Sequence, residues 1–293
     1  MQAVTQHQPA PITIGGREFA WGERTYVMGI LNVTPDSFSG DGVGTDIDAA
    51  VRQAVRMRDD GADLIDVGGE STRPGAAEVP VDEEIARTVR VVEALAKHCG
   101  ASISIDTRKA AVAEAALEAG ARVVNDVSGL DFEPEIASVT AQRGALLVIG
   151  HARGTPETMQ RSPHYDDVVA EVGDELAAAV DRARGAGVAA ERIVVDPGLG
   201  FGKRPADNLA LLGRVGEIRR KLGLPVLVGP SRKSFLGAIT GEPVDRRDEA
   251  TFAACAVAAF AGADAVRVHE PAGAVRAVAI GRAVRDAAPE AQA

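Results

Sequence analysis

The chain has 293 residues, and its 32 Lys and Arg residues are outnumbered by 42 Asp and Glu residues, which gives a formal net charge of −10. This balance disfavours the broad basic surface that binds nucleic acid, so an anionic ligand must be held by a local cluster of cations. The N-terminus lacks the basic and apolar regions of a signal peptide, and no stretch reaches about 18 consecutive apolar residues. We therefore expect a soluble, cytoplasmic protein with no nucleic-acid or membrane partner.

The first predicted element is a small hairpin in ITIGGREFAW, residues 12–21, which turns at Gly15-Gly16. Adjacent glycines between two short strands are typical of a tight hairpin turn. We expect this hairpin to cover the floor of the domain that follows. The predicted organisation is an N-terminal extension with a β-hairpin (1–25), a barrel (26–285) and a flexible tail (286–293).

From Tyr26 onward, short apolar segments alternate with amphipathic, Ala-rich segments, as in a parallel sheet surrounded by helices. The strand candidates are YVMGILNV, DLIDVGG, SISIDT, RVVNDVSG, ALLVIGH, RIVVDPG, PVLVGPS and AVRVHEP. Helix candidates with apolar residues at three- and four-residue spacing include DIDAAVRQAVRMRDDGA, VDEEIARTVRVVEALAKHC, YDDVVAEVGDELAAAVDRARGAG and DEATFAACAVAAFAGA. Eight strand–helix units in roughly 260 residues fit a closed (β/α)8 TIM barrel better than an open sheet.

Active sites of such barrels lie at the carboxyl ends of the strands, so the last residues of each strand candidate carry the functional information. The polar residues at these positions are Asn32, Asp66 with Glu70, Asp106, Asn125 with Asp126, His151, Asp196, Ser231 with Lys233, and Arg267 with His269. A polar group in a barrel wall costs desolvation unless it is paired. Such a collection around one rim therefore indicates a binding site.

Two cationic or potentially cationic side chains end the last predicted strand. Arg267 and His269 are two residues apart, so both face the same side of that strand. With GPSRKS from the preceding strand, they occupy the position where these barrels commonly bind phosphate. The alternative is that the Arg pairs with a helix carboxylate and the His is satisfied within the barrel wall.

Four further side chains from four predicted strands are expected to face one cavity: Asp106, Asn125, Asp196 and Lys233. A carboxylate accepts parallel N–H bonds, an Asn both donates and accepts, and a Lys donates to a carbonyl. This set suits a flat heterocycle such as an aminopyrimidinone. The alternative is a salt-bridge network inside the barrel. Asp126, on the opposite face from Asn125, is expected to hold the Ser128-Gly129 turn.

Long loops rich in Gly, Pro, Ser and Thr follow the first two predicted strands, in TPDSFSGDGVG and ESTRPGAAEV. Their length and composition suit mobile lids over a site. Asp36, Phe38 and Arg73 within them are unusual residues for passive turns.

Seven motifs lie between about Tyr26 and about Arg285: MGILNVTPDSFSGDG, IDVGGESTRPGA, SIDTRK, VVNDVSG, VVDPGLGFGK, LVGPSRKSFLG and RVHEP. In these motifs the chain resembles the dihydropteroate synthases, the folate-pathway enzymes that sulfonamides target. The resemblance implies that 6-hydroxymethyl-7,8-dihydropterin pyrophosphate condenses with p-aminobenzoate to give 7,8-dihydropteroate and pyrophosphate, with Mg²⁺ assisting. It also implies a homodimer.

The resemblance assigns roles to individual positions of this sequence. The pterin ring would be bound by Asp106, Asn125, Asp196 and Lys233. The pyrophosphate would be bound by Asn32, Arg267 and His269, with Asn32 also near Mg²⁺. The p-aminobenzoate site would be lined by Phe38, Thr72, Arg73, Pro74, Phe201 and Ser234, and Asp36 would close over the leaving group. The expected catalytic residues are Asp36, Thr72, Arg73, Lys233, Arg267 and His269.

Gly150 and Glu270 depart from the family pattern, since many relatives have Met at the first position and Asp is usual at the second. Arg108, in DTRK, stands where relatives vary, and no role is assigned to it. Two alternative functions remain. Barrels that transfer a methyl group from methyltetrahydrofolate to a corrinoid protein share the pterin-facing carboxylates and Asn, but they would not need SRKS, RVH or the TPDSFS loop. A catalytically silent pterin-binding paralogue would be expected to have lost Asp36, Thr72 and Arg73, and all three are present.

Overall fold

A computed structural model describes residues 9–33, 46–71, 75–155 and 157–287. The central sheet has eight parallel strands: β3 (Tyr26–Asn32), β4 (Leu64–Gly68), β5 (Ser102–Asp106), β6 (Val123–Asp126), β7 (Leu146–Gly150), β8 (Ile193–Asp196), β9 (Leu227–Val228) and β10 (Ala265–Val268). Their spatial order is β8-β7-β6-β5-β4-β3-β10-β9. A parallel bridge between Val195 and Val226 joins the two outer strands. The predicted (β/α)8 barrel is confirmed.

Helices surround the sheet, and all four helix candidates from the sequence form. The helices of the described chain are α1 (Ile47–Asp59), α2 (Val81–His98), α3 (Ala110–Ala119), α4 (Glu135–Gln142), α5 (Val168–Gly185), α6 (Pro205–Gly213), α7 (Val215–Leu222), α8 (Ser234–Thr240), α9 (Asp248–Ala261) and α10 (Pro271–Ala287). The last helix extends two residues beyond the predicted end of the barrel at Arg285. Within the described ranges, no helix has the length and apolar character needed to cross a membrane.

Alternating residues of the strands belong to two different apolar cores. Val124, Leu147 and Val195 pack against the helices. Their strand neighbours Val123, Leu146 and Val194 pack inside the barrel. Fully burying one such side chain stabilises the fold by about 1.5–3 kcal/mol, which explains why near-continuous apolar runs form these strands.

The N-terminal hairpin closes the floor of the barrel, as predicted. β1 (Ile12–Ile14) pairs antiparallel with β2 (Arg17–Phe19), and Gly15 and Gly16 both have positive φ, at 56° and 82°. The rings of Phe19, Trp21 and Tyr26 contact one another and belong to the same apolar core as the interior of the barrel. This aromatic floor lies at the amino ends of the strands, opposite the rim where the site is predicted.

Strand β9 is much shorter than its candidate segment, PVLVGPS. Only Leu227 and Val228 are in strand conformation. Pro225 and Pro230 flank these residues, and a proline has no N–H to donate to the ladder. The chain therefore leaves the sheet early and turns towards the rim of the barrel.

Candidate active site

A cavity of about 700 Å³ lies at the carboxyl ends of the barrel strands. Its wall contains all predicted site residues that fall in the described chain: Asn32, Asp106, Asn125, Asp196, Phe201, Lys233, Ser234, Arg267 and His269. The remaining predicted site residues lie outside the described residues: Asp36, Phe38, Thr72, Arg73 and Pro74. Three polar residues that the sequence also placed at the strand ends are buried and do not line this cavity: Asp66, Asp126 and His151.

Arg267 of β10 reaches past β3 to two carboxylates, one on β4 and one on β5. Its Nε donates to Asp66 Oδ2 at 2.6 Å, and its Nη2 donates to Asp106 Oδ2 at 2.5 Å. Asn125 Nδ2 donates to the same Asp66 oxygen at 2.9 Å. Burial lowers the pKa of Arg267, but the two carboxylates raise it overall, so the guanidinium stays charged. Of the four residues for which a salt-bridge network was the alternative, Asp106 and Asn125 belong to this network.

One cation in this network faces two carboxylates. Burial raises the pKa of Asp106 to about 7, with Arg267 opposing the rise and Asp66 adding to it. Burial and the negative charge of Asp66 thus favour the protonated form of Asp106. Asp106 is therefore poised to change between a hydrogen-bond donor and an acceptor near neutral pH.

Asp196 ends β8 on another part of the wall. Gly198 N donates to its Oδ1 at 2.7 Å, and Oδ2 lies 3.9 Å from the position of a Cβ at Gly229, another residue of the cavity wall. Burial raises the pKa of Asp196, while the Gly198 amide and then Lys233 oppose this effect. The carboxylate thus has one oxygen anchored to its own loop and another beside the cavity.

Lys233 and Phe201 form a contact between two rim loops. Lys233 Nζ lies 4.0 Å from the centroid of the Phe201 ring, within the range of a cation–π interaction. Gly200 has φ +83°, and a Cβ there would lie 3.0 Å from Lys233 Cδ. The positive φ favours glycine at this position, and a side chain there would also crowd Lys233. Ser234 follows Lys233 and begins α8, as the sequence predicted.

His269 is oriented by the loop that precedes α8. Its backbone N donates to Ser231 Oγ at 3.1 Å, and its Nδ1 lies 2.8 Å from the same oxygen. Which of these two atoms donates in the second contact depends on the tautomer of the ring. His269 and Arg267, the two residues predicted to bind an anion, both line the cavity.

Comparison with known proteins agrees with this geometry. A family model described as pterin binding enzyme matches residues 28–269. The chain is 48% identical over 271 residues to the dihydropteroate synthase of Synechocystis sp., an alignment that covers 92% of this chain and 93% of the relative. The chain belongs to the dihydropteroate synthase family.

Solved structures of the family share the fold. The Yersinia pestis dihydropteroate synthase in complex with a sulfonamide drug has a TM-score of 0.88 and 42% identity, over 95% of this chain and 100% of that one. The Xanthomonas albilineans dihydropteroate synthase with 4-aminobenzoic acid has a TM-score of 0.87 and 43% identity, over 96% and 100%. The chain is accordingly a transferase that belongs to the folate pathway.

Several buried polar residues near the cavity were assigned no role in the sequence analysis. Asp66 is fully buried at the centre of the Arg267 network, although it was recognised only as a polar residue near a strand end. Glu70 accepts from Lys109 Nζ at 2.5 Å and from Arg108 Nε at 2.9 Å. One feature of the sequence could have identified Asp66. It is the single polar residue between Leu64 and Gly68, and its position in the strand directs its side chain into the barrel.

The structure shows what surrounds Gly150 and Glu270, the two residues that depart from the family pattern. A Cβ at Gly150 would lie 2.7 Å from Val127 Cα, so the backbones approach too closely for a side chain. The apolar wall of the cavity is supplied by Val127, Met159, Leu199 and Phe201 instead. Glu270 Oε2 accepts from Gly273 N at 2.8 Å in the first turn of α10, away from Arg267 and His269.

Asp126 accepts from Ser128 N and Leu130 N, and so holds the turn as predicted.

The donor atoms of the cavity fit Mg²⁺ only if the substrate supplies most of the ligands. Within the described ranges, no cluster of three or more His, Cys, Asp or Glu side chains could hold a metal ion. Asn32 lines the cavity, and its Oδ1 is the type of oxygen ligand that Mg²⁺ accepts. Mg²⁺ commonly binds to one or two protein oxygens together with substrate phosphates and water. The donor set therefore fits a metal ion brought in by a pyrophosphate.

Replacing Lys233 with Ala should weaken the binding of the pterin pyrophosphate by about 1.5–3 kcal/mol, the range for a hydrogen bond to a charged group. Calorimetric titration would measure the change. Lys221→Ala is the control, since Lys221 binds Asp174 on the outer helices. Equal affinity of the Lys233 variant and the parent protein would remove Lys233 from the pterin site.

Proposed function

We propose that this protein condenses 6-hydroxymethyl-7,8-dihydropterin pyrophosphate with p-aminobenzoate, giving 7,8-dihydropteroate and pyrophosphate. The observation that carries the proposal is the convergence of an anionic cluster, a cationic pair and an aromatic–cation contact on one cavity. The Xanthomonas relative with 4-aminobenzoic acid supports the choice of the amine substrate.

The anionic side of the cavity suits the pterin ring. Asp196 Oδ2 would accept N–H hydrogen bonds from the aminopyrimidinone edge, because Oδ1 is already bound by Gly198 N. Asn125 presents an amide whose nitrogen is fixed by Asp66, which leaves its oxygen as an acceptor. Lys233 would donate to the ring carbonyl. Because these partners are held before the ligand arrives, little reorganisation is needed on binding.

The cationic side suits the pyrophosphate. Arg267 uses its Nε–H for Asp66 and one N–H of Nη2 for Asp106, so among the described contacts Nη1 and the second N–H of Nη2 remain as donors for a phosphate oxygen. His269 would donate from Nε2, and Asn32 would hold the metal-bound end of the leaving group. Mg²⁺, when bound, would supply positive charge to the departing pyrophosphate.

The reaction is proposed to be a dissociative, SN1-like substitution. The bond between the pterin methylene carbon and the pyrophosphate oxygen breaks first, and the electron pair leaves with the oxygen. Arg267 and His269 stabilise the charge that develops there. The amine nitrogen of p-aminobenzoate then bonds to the methylene carbon and loses a proton. Exclusion of water protects the cation, because water would otherwise capture it.

A direct product assay tests the proposal. The folded protein, incubated with both substrates and Mg²⁺, should yield 7,8-dihydropteroate of the expected mass together with an equal amount of pyrophosphate. Reactions without p-aminobenzoate, or with EDTA added in excess of Mg²⁺, are the controls. Binding of the pterin pyrophosphate without any product would contradict the proposal and would indicate a silent pterin-binding paralogue.

The protein is further proposed to form a homodimer through α9 and α10. These helices pack closely, since a Cβ at Gly281 would lie 2.1 Å from Ala256 O. Their outer faces expose four large apolar side chains, between 45% and 66% accessible: Val257, Phe260, Ile280 and Val284. Apolar side chains grouped on two adjacent helices suit a two-fold interface between identical subunits.

A further inference from the structure

Lys203 is a buried lysine for which the proposed reaction has no use. It ends the DPGLGFGK segment after β8, and it is only 3% exposed. A lysine is almost never fully buried unless it is paired. Its position behind two residues of the cavity wall, Phe201 and Asp196, raises the question of what it holds in place.

The ammonium group of Lys203 bonds to two chain segments. It donates to Phe201 O at 3.0 Å, within its own loop. It also donates to His151 Nδ1 at 2.9 Å and to His151 O at 3.3 Å, at the end of β7. All three hydrogens of a charged lysine are therefore used. The side chain ties the loop after β8 to the residue that follows β7.

The backbone of the loop touches the same segment. Gly198 and Gly202 have positive φ, and a Cβ at these positions would lie 1.9 Å from His151 O and 2.5 Å from Arg153 O. The loop thus lies directly on residues 151–153, with no space for a side chain between them. A change in the position of Lys203 would have to alter this contact.

The bond to His151 continues to α5. His151 Nε2 lies 2.9 Å from Glu175 Oε2, and the Glu175 carboxylate also accepts from Arg153 Nε at 3.0 Å. Because Lys203 donates to Nδ1, the ring proton of a neutral His151 resides on Nε2 and points to Glu175. The three residues form one continuous hydrogen-bonded chain from the rim loop to the helix layer.

We propose that Lys203 is a positioning residue, whose ammonium group fixes the Gly198–Gly202 loop so that Phe201 and Asp196 face the cavity in one arrangement. The kinetic consequences rest on the proposed function, because Phe201 and Asp196 would contact its two substrates. The loop geometry itself does not depend on that function.

The charges around Lys203 predict how this role depends on pH. Burial lowers the pKa of Lys203 to about 7; Asp196 and Glu175 oppose this effect, while Lys233 and Arg153 add to it. Below this pH the ammonium group makes all three bonds. Above it the neutral amine has lost one donor, so we expect the loop to be held less firmly.

Lys203→Met tests the proposal, because Met has similar length but cannot donate. The kcat/KM for p-aminobenzoate should fall at least tenfold at pH 6, chiefly through KM. The ratio of the parent value to the variant value should decrease as the pH rises from 6 to 8.5. Asp106 titrates in both proteins, so its effect is common to the numerator and the denominator. The pKa of His151, which burial lowers and Glu175 raises, should be higher in the variant because the charge of Lys203 also lowers it. A ratio within twofold of unity, or one that is constant with pH, would overturn the proposal.

Amide hydrogen exchange gives a readout that does not require catalysis. Residues 198–202 should exchange at least tenfold faster in Lys203→Met, and near the parent rate in Lys221→Met, the control on α7. Lys203→Arg keeps a cationic donor, so it should retain part of the protection of the parent protein. This variant replaces Lys203→Met in the experiment if the Met variant does not fold. Unchanged protection in a folded Met variant would contradict the proposal, even if the parent protein makes no dihydropteroate.

Discussion

Replacing Arg267 with Met should lower kcat/KM for the pterin pyrophosphate by about 100-fold or more, and should reduce the free energy of unfolding by about 3–5 kcal/mol. Both effects have the same origin. The guanidinium is the cation bonded to Asp66 and Asp106, and Asp66 is fully buried. Its removal leaves these carboxylates without a counter-charge and the pyrophosphate without a donor. Steady-state kinetics and urea unfolding would measure the two losses.

Arg219→Met is the matched control for this experiment. Arg219 forms a comparable pair with the buried Asp264, but on the outer side of the barrel next to β10. This variant should lose stability without a comparable loss in kcat/KM. If both Arg variants lose activity in proportion to stability, then Arg267 has only a structural role.

The pH dependence of the Arg267→Met variant should also move in a definite direction. Arg267 lowers the pKa of Asp106, which burial and Asp66 raise to about 7. Without Arg267 the pKa of Asp106 should be higher still, so a pH-rate limb that reports Asp106 should shift to higher pH. A shift to lower pH would contradict the assignment of the limb to Asp106.

Replacing Lys109 with Met should reduce the free energy of unfolding by about 3–5 kcal/mol, a large part of the usual stability of a domain. Lys109 is 1% exposed, and its Nζ donates to Glu70 at 2.5 Å, to Glu84 at 2.7 Å and to Val79 O at 2.6 Å. Met would fill the space but leave the buried Glu84 carboxylate without its cation and Glu70 with Arg108 alone. Urea unfolding of this variant and of Lys97→Met, on an exposed part of α2, would show the difference.

Acid titration of stability would distinguish the Lys109 network from simple loss of packing. Burial raises the pKa of Glu70, but the bonds from Lys109 and Val79 N and the charge of Arg108 lower it overall. A carboxyl group with a lowered pKa contributes stability above its unfolded pKa and loses this contribution as the pH falls through the folded value. This acid-dependent loss, below about pH 4.5, should be smaller in Lys109→Met than in the parent protein. Equal acid dependence in both proteins would show that the bond between Lys109 and Glu70 does not contribute to stability.

The sequence was sufficient for the architecture because the strands and turns carry local signals. Apolar, β-branched runs identified every barrel strand, and the Gly15-Gly16 pair identified the hairpin turn. The rule that barrel sites lie at the carboxyl ends of strands then selected the polar residues of the cavity. The exception was β9, whose apolar segment forms only two residues of strand because prolines flank it.

The partners within the site could not be read from the sequence. Arg267 bonds to Asp66 and Asp106, which are 201 and 161 residues away along the chain. These contacts depend on the closure of the barrel and on the depth of each side chain, and neither leaves a local pattern. The buried position of Lys203 could not be predicted for the same reason, since a lysine after a glycine-rich loop is usually exposed. The p-aminobenzoate roles of Phe38, Thr72, Arg73 and Pro74 and the role of Asp36 stay predictions.

The aromatic floor of the barrel determines what optical spectroscopy reports for this protein. Trp21 is the single tryptophan of the chain, and it is packed between Phe19 and Tyr26 beneath the barrel. The substrate cavity opens at the other end of the strands. Tryptophan emission therefore follows the docking of the N-terminal hairpin, and it is a reporter of folding rather than of ligand occupancy.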